Sequence, residues 1–200
     1  MDFDFEKESK GPLLKRVLIK VLIWAVQIAV VIFLAYFIIY YALEKTEMVG
    51  ISMETTLQDK DEVIINKFSY HFTDPKRFDV IVFKQSGKEH SFYNIKRIIG
   101  LPGEKVQFKE GQIYINGEVV EDIVNVDTMN NYGLADEEIT LEENEYFVLG
   151  DNRNNSEDSR FASIGNIRRD EIIGKAFIRI SPFNFISKLN LVKETTSEEE

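Results

Sequence analysis

The chain has no cysteine. Disulfides, a thiol nucleophile and thiolate metal ligands are therefore excluded. Histidine is almost as scarce: His71 and His90 are the only two. Neither lies in a recognisable Ser-His-Asp setting, so the usual base for a hydroxyl nucleophile is missing. Basic residues number 24 against 34 acidic ones, a net charge of −10 at pH 7. Residues 1–20 hold five basic and four acidic side chains, which leaves 19 basic and 30 acidic beyond them, near −11. Phosphate contacts need Lys and Arg, so a remainder this acidic and without a basic cluster argues against nucleic acid as a partner. Internal repeats are absent too.

What the chain does have is one long apolar run, Val21–Leu43, broken only by Gln27. At about 1.5 Å per helical residue such a run reaches roughly 30 Å, enough to cross a bilayer. A buried core helix is the bland alternative, but aromatics lie on every side of this one (Trp24, Phe33, Tyr36, Phe37, Tyr40, Tyr41). A removable signal peptide would have a shorter apolar part, about 7–15 residues, and a small-residue cleavage site. Leu43-Glu44-Lys45 does not resemble one. Five basic residues precede the run (Lys7, Lys10, Lys15, Arg16, Lys20) and Lys45 alone closely follows it, which predicts a cytoplasmic N-terminus. The expected organisation is a cytoplasmic stub over 1–16, a transmembrane helix over 17–43, an extracytoplasmic domain over 44–190 and an acidic tail over 191–200. Gly11-Pro12 reads as a break before the helix.

After the span the pattern changes to short alternating or apolar runs that predict strands. These are Glu62–Asn66, Asp79–Phe83, Phe92–Ile99, Lys105–Phe108, Gln112–Ile115, Glu118–Val120, Glu145–Leu149 and Lys175–Ile180. Asn116-Gly117, between two of them, is the signature of a tight hairpin. Leu101-Pro102-Gly103-Glu104 reads as a turn. Residues 124–140 show no period and predict an excursion or loop.

A serine hydroxyl needs a base. A lysine can serve if burial lowers its pKa from about 10.4 toward roughly 7–8. Lys96 is flanked by Ile95, Ile98 and Ile99 in a strand-like run, where desolvation favours the neutral amine. Ser52 lies nine residues beyond the apolar run. Taken singly, a strand lysine is more often a surface residue and a serine more often a turn residue.

Four segments together change that balance. Gly50-Ile51-Ser52-Met53-Glu54-Thr55-Thr56-Leu57 resembles the Ser-Met-x-Pro-Thr box of type I signal peptidases. Arg77-Phe78-Asp79-Val80-Ile81-Val82-Phe83 resembles that family's Arg-Gly-Asp-Val-Val-x-Phe strand, and Lys96–Glu104 its lysine box. Gly150–Arg160 is similar to its Gly-Asp-Asn-Arg-x-x-Ser-x-Asp-Ser-Arg box at every fixed position. The resemblance implies that Ser52 is the nucleophile and Lys96 the general base, with Ser156 orienting the amine and Asp158 and Arg160 a buried pair that holds the site. Asp151 and Arg153 look structural. The family's oxyanion donors imply the backbone N–H of Ser52 and a group at Gly50, where only the backbone could donate; alternatively Gly50 simply permits the turn. Substrate pockets would be lined by Met48, Val49, Met53, Leu57, Asn94 and Ile95, which on pattern alone read equally as core. Asn94 stands where an aromatic is common.

Thr55 replaces the family's proline and Phe78 its usual glycine. Proline would fix φ at residue 55, so threonine there predicts a less constrained Ser52 loop and proline a tighter one. The implied activity is a single-pass, membrane-bound serine endopeptidase that removes signal peptides from exported preproteins after small residues (Ala-x-Ala type), at the bilayer surface, with no cofactor and no metal. A non-catalytic, signal-peptidase-like assembly factor for surface polymers is the alternative. The expected fold is mainly β, with antiparallel sheets, a small barrel-like catalytic core and a β-rich accessory region around 105–140, preceded by one transmembrane helix.

Overall fold

The computed structural model describes residues 11–85, 93–189 and 191. His90, Phe92, most of the N-terminal stub and residues 192–200 lie outside them. The chain divides into two compact units between Tyr41 and Ala42.

The first unit is α1 (Gly11–Ala42). Its stretch Lys15–Ala42 has mean hydropathy 2.7 and is long and apolar enough to cross a membrane. Gly11-Pro12 forms the first helical turn instead of a break before it. Proline is tolerated there because a first-turn N–H has no intrahelical partner in any case. Leu43, expected inside the helix, instead opens the first strand.

The second unit is mainly β and antiparallel, as expected. Its strands are β1 (Leu43–Glu47), β2 (Glu62–Asn66), β3 (Val80–Phe83), β4 (Asn94–Gly100), β5 (Lys105–Lys109), β6 (Gln112–Ile115), β7 (Glu118–Val120), β8 (Ile139–Thr140), β9 (Glu145–Leu149), β10 (Ile167–Arg168), β11 (Ile172–Arg179) and β12 (Asn184–Phe185). The large sheet runs β1-β2-β11-β3-β4-β9-β10 with β12 also on β11, and a smaller sheet runs β7-β6-β5-β8. The large sheet is open, with β1 and β10 as its ends. The smaller sheet falls within residues 105–140. At its β6–β7 turn Asn116 and Gly117 both take positive φ, 55° and 84°, as a two-residue hairpin requires. The predicted excursion over 124–140 contains a 3-10 turn, Gly133–Asp136, and then β8.

β3 reads Val-Ile-Val-Phe with no polar residue because both of its faces are covered. Val80 and Val82 join a cluster with Met48, Met53, Leu57, Val63, Ile65, Ile95, Ala176 and Ile186. Ile81 and Phe83 join another with Tyr70, Ile98, Tyr146, Val148, Ile167 and Ile172. A third cluster, around Phe108 and Phe147, sits against the smaller sheet. Each fully buried aliphatic or Phe side chain stabilises the unit by about 1.5–3 kcal/mol. β4, wedged between β3 and β9, is thereby a rigid carrier for Lys96.

Candidate active site

Lys96 pairs with Ile81 in the β3–β4 ladder and is only 4% exposed. Burial pulls its pKa down from 10.5 to about 8, against the opposing pull of Asp158, Asp151 and Glu157. Its Nζ lies 2.6 Å from Ser52 Oγ, in hydrogen-bond contact. The two residues singled out from sequence are thus brought together across 44 positions of chain.

The turn that carries Ser52 is held on several sides. Glu54 N–H donates to the Ile51 carbonyl at 3.1 Å, and Thr56 and Leu57 N–H donate to the Met53 carbonyl at 3.0 and 2.8 Å. From across the fold, Asn152 N–H donates to the Ser52 carbonyl at 3.1 Å. The Asn152 side-chain amide reaches the Ile51 carbonyl and Glu54. Thr56 Oγ1 donates to Asp151 at 2.5 Å, and Asp151 takes a two-pronged bond from Arg97, 2.8 Å from Nε and 2.6 Å from Nη2. Arg97 also donates to the Phe78 carbonyl. Sequence reasoning singled out neither Arg97, Thr56 nor Asn152. Their signal lay in adjacency alone, since each stands inside one of the four boxes.

Asp158 and Arg160 form the expected buried pair, with Arg160 Nε to Asp158 Oδ1 at 2.8 Å and Nη2 to Oδ2 at 2.9 Å. Arg160 further donates to the carbonyls of Asn131 and Arg153, while Asp158 accepts the Gly150 N–H at 3.1 Å. Arg153 lies 2.5 Å from Asp122. Ser156 Oγ is buried and has no hydrogen-bond partner among the described residues, so the bond to the lysine amine is not formed in this state. A Cβ on Gly150 would collide with Ser156 Oγ and with the Ser52 carbonyl. That closeness requires glycine there. Gly50 takes φ 85°, and its N–H donates to Asp59 Oδ1 at 2.7 Å. The Gly50 N–H is therefore already occupied.

The profile of the family described as signal peptidase, peptidase S26, matches residues 21–181. The chain belongs to that family. Signal peptidase I of Bacillus amyloliquefaciens is 34% identical over 175 residues, 84% of this chain and 92% of that one. Signal peptidase I of Leptolyngbya laminosa is 41% identical, covering 69% and 68%. The probable signal peptidase I-2 of Synechocystis sp. is 40% identical over 66% of this chain, and the match spans 60% of that relative's length. A crystal structure of a signal peptidase I from Enterococcus faecalis V583 aligns at TM-score 0.43 with 33% identity, over 52% of this chain and 97% of that one.

Of the six residues expected to line signal peptidase pockets, Met48, Met53, Leu57 and Ile95 are buried together in one cluster. Asn94 is half-buried, and Val49 is 69% exposed. The two departures from the family boxes share one conformational explanation. Thr55 and Phe78 both adopt positive φ, 80° and 68°, the region that glycine enters at no cost and other residues at about 1–2 kcal/mol. That accounts for the usual glycine at position 78, where Phe78 gains packing against the accessory-side cluster in return. At position 55 it overturns the expectation that proline would tighten the loop, because the proline ring holds φ near −65°. Thr55→Pro is expected to lower the thermal denaturation midpoint, and Thr55→Gly to leave it unchanged or raise it. A higher midpoint for the proline variant would refute this account.

Proposed function

We propose that this chain is a single-pass membrane peptidase that removes signal peptides from exported preproteins with a Ser52/Lys96 dyad. The observation that carries the reading is the buried Lys96 amine 2.6 Å from the Ser52 hydroxyl, its pKa pulled down by burial. Ser52 Oγ attacks the scissile carbonyl while neutral Lys96 Nζ takes its proton. The Ser52 N–H stabilises the oxyanion; Gly50, with its N–H on Asp59, contributes by shaping the turn. Lys96 then gives its proton to the leaving amine and, once neutral again, activates the water that releases the acyl-enzyme. Ser156 Oγ turns to accept from Lys96 when the amine is charged. Asp158, Arg160, Asp151 and Arg97 hold the frame, and the chemistry asks for no metal or cofactor.

The substrate enters as an extended strand. Among the described residues β1 pairs only with β2, and β4 gains its second neighbour, β9, only from Arg97 onward. Open backbone over β1 and over Ile95–Lys96 can accept main-chain hydrogen bonds from an added strand. An added strand there would run up to the dyad. Small residues at the cut site and two positions upstream belong to the same reading, in which Met48, Met53, Leu57 and Ile95, packed in one cluster, would floor the pockets. Lys15–Ala42 forms the anchor, with the N-terminal stub cytoplasmic and the β unit that begins at Leu43 on the outer side. Tethering raises the local concentration of enzyme where the preprotein leaves the bilayer.

The test is cleavage of a preprotein with an Ala-x-Ala site by the detergent-solubilised chain. The wild type should release the mature protein and Ser52→Ala should be slower by at least about 10³-fold. Product at comparable rate from folded Ser52→Ala would sink the assignment.

A further inference from the structure

Antiparallel pairings lead in turn from β1 through β2, β11 and β3 to β4, so β1 and β4 point the same way although three strands separate them in the sheet. Both run toward the dyad, β1 continuing through Met48 to Ser52 and β4 carrying Lys96. Their starting ends are joined as well. Tyr93, immediately ahead of β4, donates its hydroxyl to Glu44 Oε1 at 2.8 Å, and Lys67 Nζ lies 3.1 Å from the other carboxylate oxygen. The same two segments are thus linked twice by side chains, through Lys96 and Ser52 at one end and through Tyr93 and Glu44 at the other.

Successive strand residues face opposite sides. On β1, Glu44 and Thr46 are half-buried while Lys45 and Glu47 are exposed, and Met48, next on the inward side, is buried in one cluster with Ile95. Tyr93, two residues before Ile95, packs on that cluster too. One row therefore reads Glu44, Thr46, Met48 and the other Tyr93, Ile95, and both change from polar to apolar toward the dyad. Glu44 stays ionised, because the Tyr93 hydroxyl above all, with Lys67, holds its carboxyl below the usual range against the pull of burial. A carboxylate has room for about four hydrogen bonds. Tyr93 and Lys67 supply two among the described residues.

We propose that Glu44 and Tyr93 form a specificity subsite for the preprotein chain upstream of the cut, one that takes a side chain with a hydrogen-bond donor, such as Asn, Ser or Lys, and rejects a carboxylate. The inference rests on the strand addition proposed above. Direction follows from chain continuity. Glu44 is the second residue after Ala42, where the apolar run ends, and a preprotein's own apolar segment lies in the same bilayer. Substrate residues between that segment and the scissile bond therefore pass Glu44 before they reach Ser52. Register follows from the period of two: the first and third residues upstream face Met48 and Ile95, and the next inward-facing residue is the fifth. At about 3.3 Å per residue, Tyr93 stands roughly 10 Å of strand behind Lys96, and its ring extends the reach further toward that position. A carboxylate there would meet Glu44 in a half-buried setting, and such like-charge contacts are how a site excludes the wrong partner.

The experiment compares four preproteins that share one Ala-x-Ala site and carry Asn or Asp at the fifth residue before the cut, or Asn or Asp at the sixth. The full chain in detergent should cleave the fifth-position Asn substrate with a kcat/KM at least about fivefold above its Asp counterpart, mainly through KM. At the sixth position, whose side chain faces away, the two should be cleaved alike. Glu44→Gln should bring the fifth-position ratio close to one. A purely structural role for Glu44 would slow all four substrates together and leave the ratio in place, which would overturn the subsite. So would equal discrimination at the fifth and sixth positions. Lys67→Met removes the cation that partly masks Glu44 and should widen the ratio; it decides the matter should Glu44→Gln fail to fold, and an unchanged or smaller ratio counts against the subsite. A wild type that cleaves none of the four would remove the peptidase reading and the subsite with it. One that cleaves all four at the same rate would overturn the subsite alone.

Discussion

Lys96→Ala and Lys96→Arg are both expected to lose at least about 10³-fold in kcat/KM on a preprotein substrate while keeping the fold. The arginine variant is the sharper of the two, because it keeps a cation at the position and loses only the ability to give up its proton. In the proposed mechanism the reactive form of the wild type is the neutral amine. Its pKa, lowered by burial to about 8, sets the rising limb of the rate profile. The sign follows directly: below that value Lys96 carries its proton and cannot accept one from Ser52. The rate should fall by about tenfold for each unit of pH removed, and it should level off above. An unperturbed lysine would put the limb near 10.4. A profile that is flat between pH 6 and 9, or a Lys96→Arg variant with near wild-type turnover, would show that another group is the base.

The legible parts of this chain were those in which local chemistry dictates structure. Asn116-Gly117 demanded a hairpin whatever surrounded it, and the apolar run from Val21 demanded a helix, which ends at Ala42, one residue short of the run. β3 was legible because it is apolar throughout. β1 was not: Leu-Glu-Lys-Thr-Glu has weak strand propensity, and it becomes a strand only because β2 pairs with every one of its residues. The charged side chains suit its place at the edge of the sheet. β11 begins at Ile172, earlier than expected, because Gly174 interrupts the pattern. That glycine is required where a Cβ would press on the Asn66 carbonyl. In the site, Ser52 and Lys96 could be named from their boxes, but the groups that aim them could not. Asn152 on the Ser52 carbonyl, and the Thr56–Asp151–Arg97 chain, join segments about 40 to 100 residues apart. No local pattern encodes such pairings. The unusual φ at Thr55 and Phe78 was hidden for a related reason. Both residues favour negative φ when alone, and the packed turn overrides that preference.

Asp158→Asn is expected to alter stability and catalysis together. Asp158 is fully buried and is the largest of the charges that favour the proton on Lys96. Replacing its carboxylate with an amide removes that negative charge and leaves Arg160, buried and unable to deprotonate, without its counter-ion. Both changes work in the same direction on the lysine. Less negative and more positive potential disfavour the ammonium, so the rising limb of the pH–rate profile should move below its wild-type position. The fold should weaken by about 3–5 kcal/mol, the usual result of stranding one member of a buried ion pair. The weakening has a specific signature, because Asp158→Asn/Arg160→Met, which removes both charges, should recover part of it. Denaturant titration of the wild type and the two variants, with rate profiles on a short peptide, decides the matter. A limb that stays in place in Asp158→Asn would mean that Asp158 acts on Lys96 only through the shape of the frame. A double variant weaker than the single one would mean that the other bonds of Arg160, to the Asn131 and Arg153 carbonyls, outweigh the ion pair.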